Sequence, residues 1–81
     1  MVQVLYFAAL RELVGRAEEP LELPGDVLTV SDFVRYLERA RPALAGKMAS
    51  VRVALDETFA NDSDGLQGVQ VIALIPPVAG G

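Results

Sequence analysis

Neither cysteine nor histidine occurs anywhere in the 81 residues. Their absence removes a thiolate nucleophile, an imidazole base, a soft metal site and any disulfide framework. Ser-His-Asp and Cys-His catalytic arrangements are impossible within the chain. Lysine occurs once, at Lys47, in a stretch that reads as a turn. An exposed amine there stays too basic to act as a catalytic base. Asp62 and Asp64 are the nearest approach to a catalytic carboxylate pair, but their NDSDG setting has the composition of a solvated turn. Long apolar runs are missing as well, so no segment is long enough to cross a bilayer. The opening MVQVLYFAALRELVG lacks a basic lead and carries Arg11 and Glu12, unlike a secretory signal. The cytoplasm is the expected compartment, and a self-contained enzyme is the least favoured class.

What the chain does have is apolar residues, 52% of the total, and acidity, with a net charge of −4. A chain of this size makes one domain and leaves roughly 4,700 Å² exposed. A domain this small and this apolar, with mean hydropathy +0.35, is expected to cover part of its surface with a partner. The few basic residues are scattered rather than striped, so nucleic acid is not an expected ligand, and neither is a membrane. A protein with a complementary basic patch fits better.

The periodicities predict an α+β domain. Val2–Phe7 (VQVLYF) reads as a strand with Val2, Val4 and Tyr6 on one face and Gln3, Leu5 and Phe7 on the other. Both faces are apolar toward its end, which predicts a central strand covered on each side. Ala8–Val14 reads as a short helix closed by Gly15. Glu19–Leu23, bounded by prolines, reads as an edge strand. Thr29 and Asp32 form a capping-box-like pair before a longer helix with Val30, Phe33, Val34, Leu37 and Ala40 at helical spacing. Pro42 ends it near Arg41. Val51–Leu55, Thr58–Ala60 and Val69–Ile75 read as strands, the middle one following an Asp56-Glu57 turn, and the last apolar on both faces like the first. A mixed sheet of four or five strands wrapped over one main helix, the β-grasp arrangement, buries one helical stripe and one sheet face. Its first and last strands lie side by side in the middle.

Residues 1–75 form that domain and residues 76–81 a tail, within the closing IPPVAGG. Pro76 and Pro77 remove two donors and fix φ, so the last strand must stop at Ile75 and the chain must leave extended. At full extension residues 76–81 reach about 20 Å. Val78 and Ala79 offer a small apolar grip, while Gly80 and Gly81 leave the terminal carboxylate free to enter a narrow slot. That carboxylate is the one group here able to serve as a reactant. Ionised, it is a poor electrophile and needs activation, for instance as an acyl-adenylate.

VLYFAALRELVG near the start and IPPVAGG at the end resemble the small subunits of molybdopterin synthase. The resemblance covers the whole chain and implies a ubiquitin-like sulfur carrier. Under it, the Gly81 carboxylate is adenylated with ATP and magnesium by a partner resembling ubiquitin-activating enzymes, and this chain itself binds no cofactor. A sulfur donor protein then supplies sulfur to give a thiocarboxylate. Pro76, Pro77, Val78, Ala79 and Gly80 carry that group into the large subunit, within a heterotetramer. There it serves to convert cyclic pyranopterin monophosphate into the dithiolene of molybdopterin.

Phe7 and Ile75 share one face if the first and last strands are neighbours, and Phe59 joins them from the short strand. These three, with Arg11, form the expected partner interface, at roughly 800 Å² per partner. The competing expectation makes the apolar three ordinary core and Arg11 part of a solvated helix face. Family members commonly carry an acidic turn before the last strand; this chain has Gln67-Gly68-Val69-Gln70 there, and Asp56 where many have Asn. Those departures bear on partner choice. Rival readings are a carrier for thiamin thiazole or thio-modified nucleotides, a ubiquitin-like modifier of lysines, and an interaction domain with an incidental tail.

Overall fold

The computed structural model describes residues 1–77, and Val78, Ala79, Gly80 and Gly81 lie outside the described residues. β1 (Val2–Tyr6) buries Val2, Val4 and Tyr6 and leaves Gln3 and Leu5 half-buried. α1 (Ala9–Val14) starts one residue later than expected, because Ala8 sits at φ 52, ψ −126, outside the helical region. Gly15 closes it in the left-handed conformation, φ 88, donating to the Arg11 carbonyl at 2.8 Å, as a residue without a Cβ does readily. β2 (Glu18–Leu21) forms the sheet edge. It ends before Leu23 because its last residue, Leu21, already faces Val2, the first residue of β1.

α2 (Val30–Ala40) carries the expected cap in full. The Asp32 amide donates to Thr29 Oγ1 at 3.2 Å, and Asp32 Oδ2 accepts from the Thr29 and Leu28 amides at 3.1 and 3.0 Å. Val30, Phe33 and Leu37 are buried, whereas Arg35 and Arg39 face outward. Arg41 follows as the cap and Pro42 opens a 3₁₀ turn, Pro42–Leu44, that buries Leu44. β3 (Arg52–Leu55) and β4 (Thr58–Ala60) form a hairpin. Its connection is Asp56-Glu57, both at positive φ, 48 and 75. β5 (Val71–Ile75) begins later than the apolar run, because a turn at Gly68 (φ 80) brings the Val69 amide back onto the Leu66 carbonyl.

The five strands order as β2-β1-β5-β3-β4. β1 and β5 pair in parallel at the centre, and every other pairing is antiparallel. This is the expected β-grasp sheet, in its five-stranded form. Val4, Tyr6, Ile72 and Leu74 from the two central strands meet Phe33, Leu37 and Leu44 in one core. Burying an apolar side chain of this size contributes roughly 1.5–3 kcal/mol, so these contacts dominate the stability of the domain.

One expectation needs correcting. β1 is central but covered on one face only: Leu5 is half-buried and Phe7, just beyond the strand, is 44% exposed. Apolarity on two faces therefore reports two different uses, one face packed and one left open. Among the described residues no helix is long and apolar enough to cross a membrane.

Candidate functional site

Strand register decides which residues share the open face. Leu5 lies opposite Ala73, Ala73 opposite Ala54, and Ala54 opposite Phe59. Side chains alternate along each strand, so this row points away from Tyr6, Leu74 and Val53, which are buried against α2. One step on, the Phe7 amide donates to the Leu74 carbonyl at 3.3 Å, and Ile75 lies opposite Arg52. Phe7, Ile75 and Phe59 thus fall on the same face, as expected. Phe7 and Phe59 are not core, at 44% and 53% exposed, while Ile75 is half-buried.

The small side chains of Ala54 and Ala73 lower the floor between Phe59 and Leu5. The result is a shallow apolar strip crossing the sheet, and Ile75 flanks it, two residues beyond Ala73 on β5. Pro76 and Pro77 follow outside any strand, with Pro77 exposed. Whatever the chain carries beyond Pro77 therefore departs from the rim of this strip. Gly81 and the other tail residues expected to act, Val78, Ala79 and Gly80, lie outside the described residues.

Arg11 is exposed on α1, four residues beyond Phe7, and belongs to that helix rather than to the sheet face. Lys47 is exposed in the turn after the 3₁₀ segment, and Asp62 and Asp64 are exposed in their loop. There Asp64 Oδ2 accepts from the Asn61 amide at 2.8 Å, a turn-stabilising contact.

Two features escaped the sequence reading. The first is Arg52, whose guanidinium lies 4.0 Å from the centroid of the Phe59 ring, within range of a cation–π contact. Its one signal was being the charged residue in VRVAL, out of phase with Val51, Val53 and Leu55. The second is a buried polar network. Glu19, 2% exposed, accepts from the Tyr6 hydroxyl at 2.5 Å, from Arg41 Nε at 2.9 Å, from a second Arg41 nitrogen, and from Arg16 at 3.3 Å. The Arg41 guanidinium foremost, and then the Tyr6 hydroxyl, hold the Glu19 carboxyl below its usual range against the opposing cost of burial. Burial, and then the Glu19 carboxylate, push the Tyr6 hydroxyl well above its ordinary value. Every member is satisfied, and none faces the open strip. The network fixes β2 and the end of α2 to the last residue of β1, directly before Phe7.

Asp56 has a comparable local duty. Its Oδ1 accepts from the Val71 amide at 2.8 Å and the Gln70 amide at 3.1 Å, which pins the β3–β4 hairpin to the start of β5. Two contacts thus brace the sheet: Glu19 holds Tyr6, the residue before Phe7, and Asp56 holds the start of the strand that ends in Ile75.

A model of the family described as "ThiS family" matches residues 4–81. The "Molybdopterin synthase sulfur carrier subunit" of Chlamydomonas reinhardtii is 35% identical, over 99% of this chain and 98% of its own length. The protein of the same description from Escherichia coli is 32% identical over the whole of both chains. Among solved structures, SAMP1 from Haloferax volcanii, a small archaeal modifier protein, is 27% identical with a TM-score of 0.82, covering 99% of this chain and 98% of its own.

Proposed function

We propose, from the premise that the chain belongs to the ThiS family and is a relative of the sulfur carrier subunits of molybdopterin synthase, that its working group is the C-terminal carboxylate of Gly81. The observation that carries the reading is the placement of the exit. The central strand β5 ends at Ile75 beside an open apolar strip, and Pro76 and Pro77 follow outside any strand. A body that docks and a tail that reacts are thereby joined at one point.

The chemistry proceeds in two displacements. A carboxylate oxygen of Gly81 attacks the α-phosphorus of ATP on an adenylyltransferase that supplies magnesium, and pyrophosphate leaves. Hydrosulfide delivered by a donor protein then attacks the acyl carbon, AMP leaves with the original oxygen, and loss of the S–H proton gives a thiocarboxylate. The chain next docks through Phe7, Phe59 and Ile75 on the large subunit of molybdopterin synthase, placing Pro76–Gly81 in that subunit's active site. Two carriers' sulfurs complete the dithiolene of molybdopterin from cyclic pyranopterin monophosphate, in a heterotetramer. Catalytic side chains belong to the large subunit, because this chain lacks Cys and His.

The deciding measurement is intact mass after incubation with ATP, an adenylyltransferase and a sulfur donor. Replacement of one oxygen by one sulfur is expected, and deletion of Gly81 abolishes it. An unchanged mass with every adenylyltransferase tried refutes the carrier reading. One alternative, a ubiquitin-like modifier, is transfer of the same acyl-adenylate to a lysine amine, and the structural likeness to a small archaeal modifier protein gives it weak support. A product heavier by a whole target protein would identify that route.

A further inference from the structure

We propose that Arg52 is a specificity-determining residue of the open face, pairing with a carboxylate that the partner presents beside the point where the tail enters it. The inference rests on the docking reading above and adds the chemistry of the partner's surface.

Position is the first support. Arg52 is the only basic residue in any of the five strands. Its register partner is Ile75, the last residue of β5. The lone cation of the sheet therefore stands at the tail exit, in a chain whose net charge is −4.

The second support is an unused hydrogen-bonding capacity. Arg16, Arg35 and Arg41 each pair with a carboxylate of this chain. Arg52 makes no ion pair and no side-chain hydrogen bond among the described residues. It lies over Phe59 at 4.0 Å instead. A guanidinium resting over a ring has less freedom left to lose on binding, and its N–H donors remain unused for bidentate recognition. Phe59 thus restrains the group beside the strip.

Charge distribution supplies the third. At the opposite end of the row through Leu5, Ala73, Ala54 and Phe59 stands Glu18, which accepts from Gln3 Nε2 at 2.8 Å. By strand spacing that row is about 19 Å long. The face is apolar in the middle, anionic at the β2 edge and cationic at the tail exit. A partner covering the strip desolvates Arg52, and an unpaired buried cation is strongly unfavourable. The matching surface therefore carries an acidic group at that position, which also fixes the orientation of docking.

The test uses calorimetric titration of the full chain with the large subunit of molybdopterin synthase encoded in the same genome, at several salt concentrations. Arg52→Met is expected to weaken binding about tenfold and to flatten its salt dependence, and Arg52→Glu to weaken it further. Arg52→Lys retains the salt dependence while losing part of the affinity. Because that variant keeps charge and bulk, it keeps the test decisive even if the Met variant melts early. Wild-type affinity and salt dependence in Arg52→Glu, with Phe7→Asp still impaired, overturn the role of Arg52 and leave the docking reading intact. No binding by the wild-type chain overturns both.

Discussion

The Tyr6 hydroxyl donates to the Glu19 carboxylate at 2.5 Å inside the domain, and both residues are 2% exposed. Arg41, from the far end of α2, closes the same carboxylate from its other side. One acidic side chain thus joins a central strand, an edge strand and the helix cap.

Removing the cation should expose the cost of that arrangement. Arg41→Ala leaves a buried carboxylate with only Tyr6 and the more distant Arg16, and should lower stability by about 2 kcal/mol. That figure lies below the roughly 3–5 kcal/mol of breaking a fully buried pair, because the Arg41 side chain is 36% exposed. Urea denaturation measures it. The double substitution Glu19→Gln with Arg41→Ala should cost less than the sum of the two single changes.

The same cluster sets the limits of the pH range. Glu19 has a folded-state pKa depressed below its ordinary 4.5, so its contribution is fully present above that value and is lost as pH falls below it. Asp32, depressed by the Leu28 amide first, acts in the same direction. Tyr6 has its pKa raised above an ordinary 10.0, so its contribution is present below pH 10 and is lost as the solution becomes more alkaline. Melting temperature should be level between these limits and fall on both sides. Tyr6→Phe should flatten the alkaline limb while leaving most of the acid limb in place.

The hairpin turn offers a stabilising change. Glu57 holds φ 75, a conformation sterically costly for a side-chain-bearing residue and open to glycine, whose greater loss of chain entropy offsets only part of the gain. Glu57→Gly should therefore stabilise by about 1 kcal/mol, raising the melting temperature by about 4–8 °C in a domain of this size. A melting temperature that does not rise would mean that the Glu57 side chain makes a compensating contribution.

Much of this architecture was legible in the sequence. The Thr29–Asp32 cap, the Val30, Phe33 and Leu37 stripe, the strand end at Ile75 and the Asp56-Glu57 turn are local patterns, and local patterns survive into the fold. The Glu19 network was not legible: Glu19 was read only as the first residue of an edge strand, and the structure buries it. Its partner Arg41 lies 22 residues away, and no spacing rule connects them. The open face was misread for a related reason. Leu5 and Phe7 are apolar whether another element or a partner covers them, and hydrophobicity alone does not say which.

Phe7→Asp puts the strip itself to the test. Phe7 is 44% exposed and its ring lies outside the core cluster, so the melting temperature should stay near that of the wild type. Affinity for the large subunit should fall at least tenfold, as for an aromatic anchor near the centre of an interface. A collapse in melting temperature would instead mark Phe7 as structural.

The parallel pairing of β1 with β5 also has a mechanical meaning. A partner that grips the tail pulls on the C-terminal end of β5, which is laddered to β1 on one side and β3 on the other. Against the N-terminal end of β1, such a pull runs along parallel strands. It loads the rungs from Gln3–Val71 to Tyr6–Leu74 together rather than opening them one at a time. The strand from which the tail departs is therefore anchored in shear, at the part of the sheet best placed to bear the load.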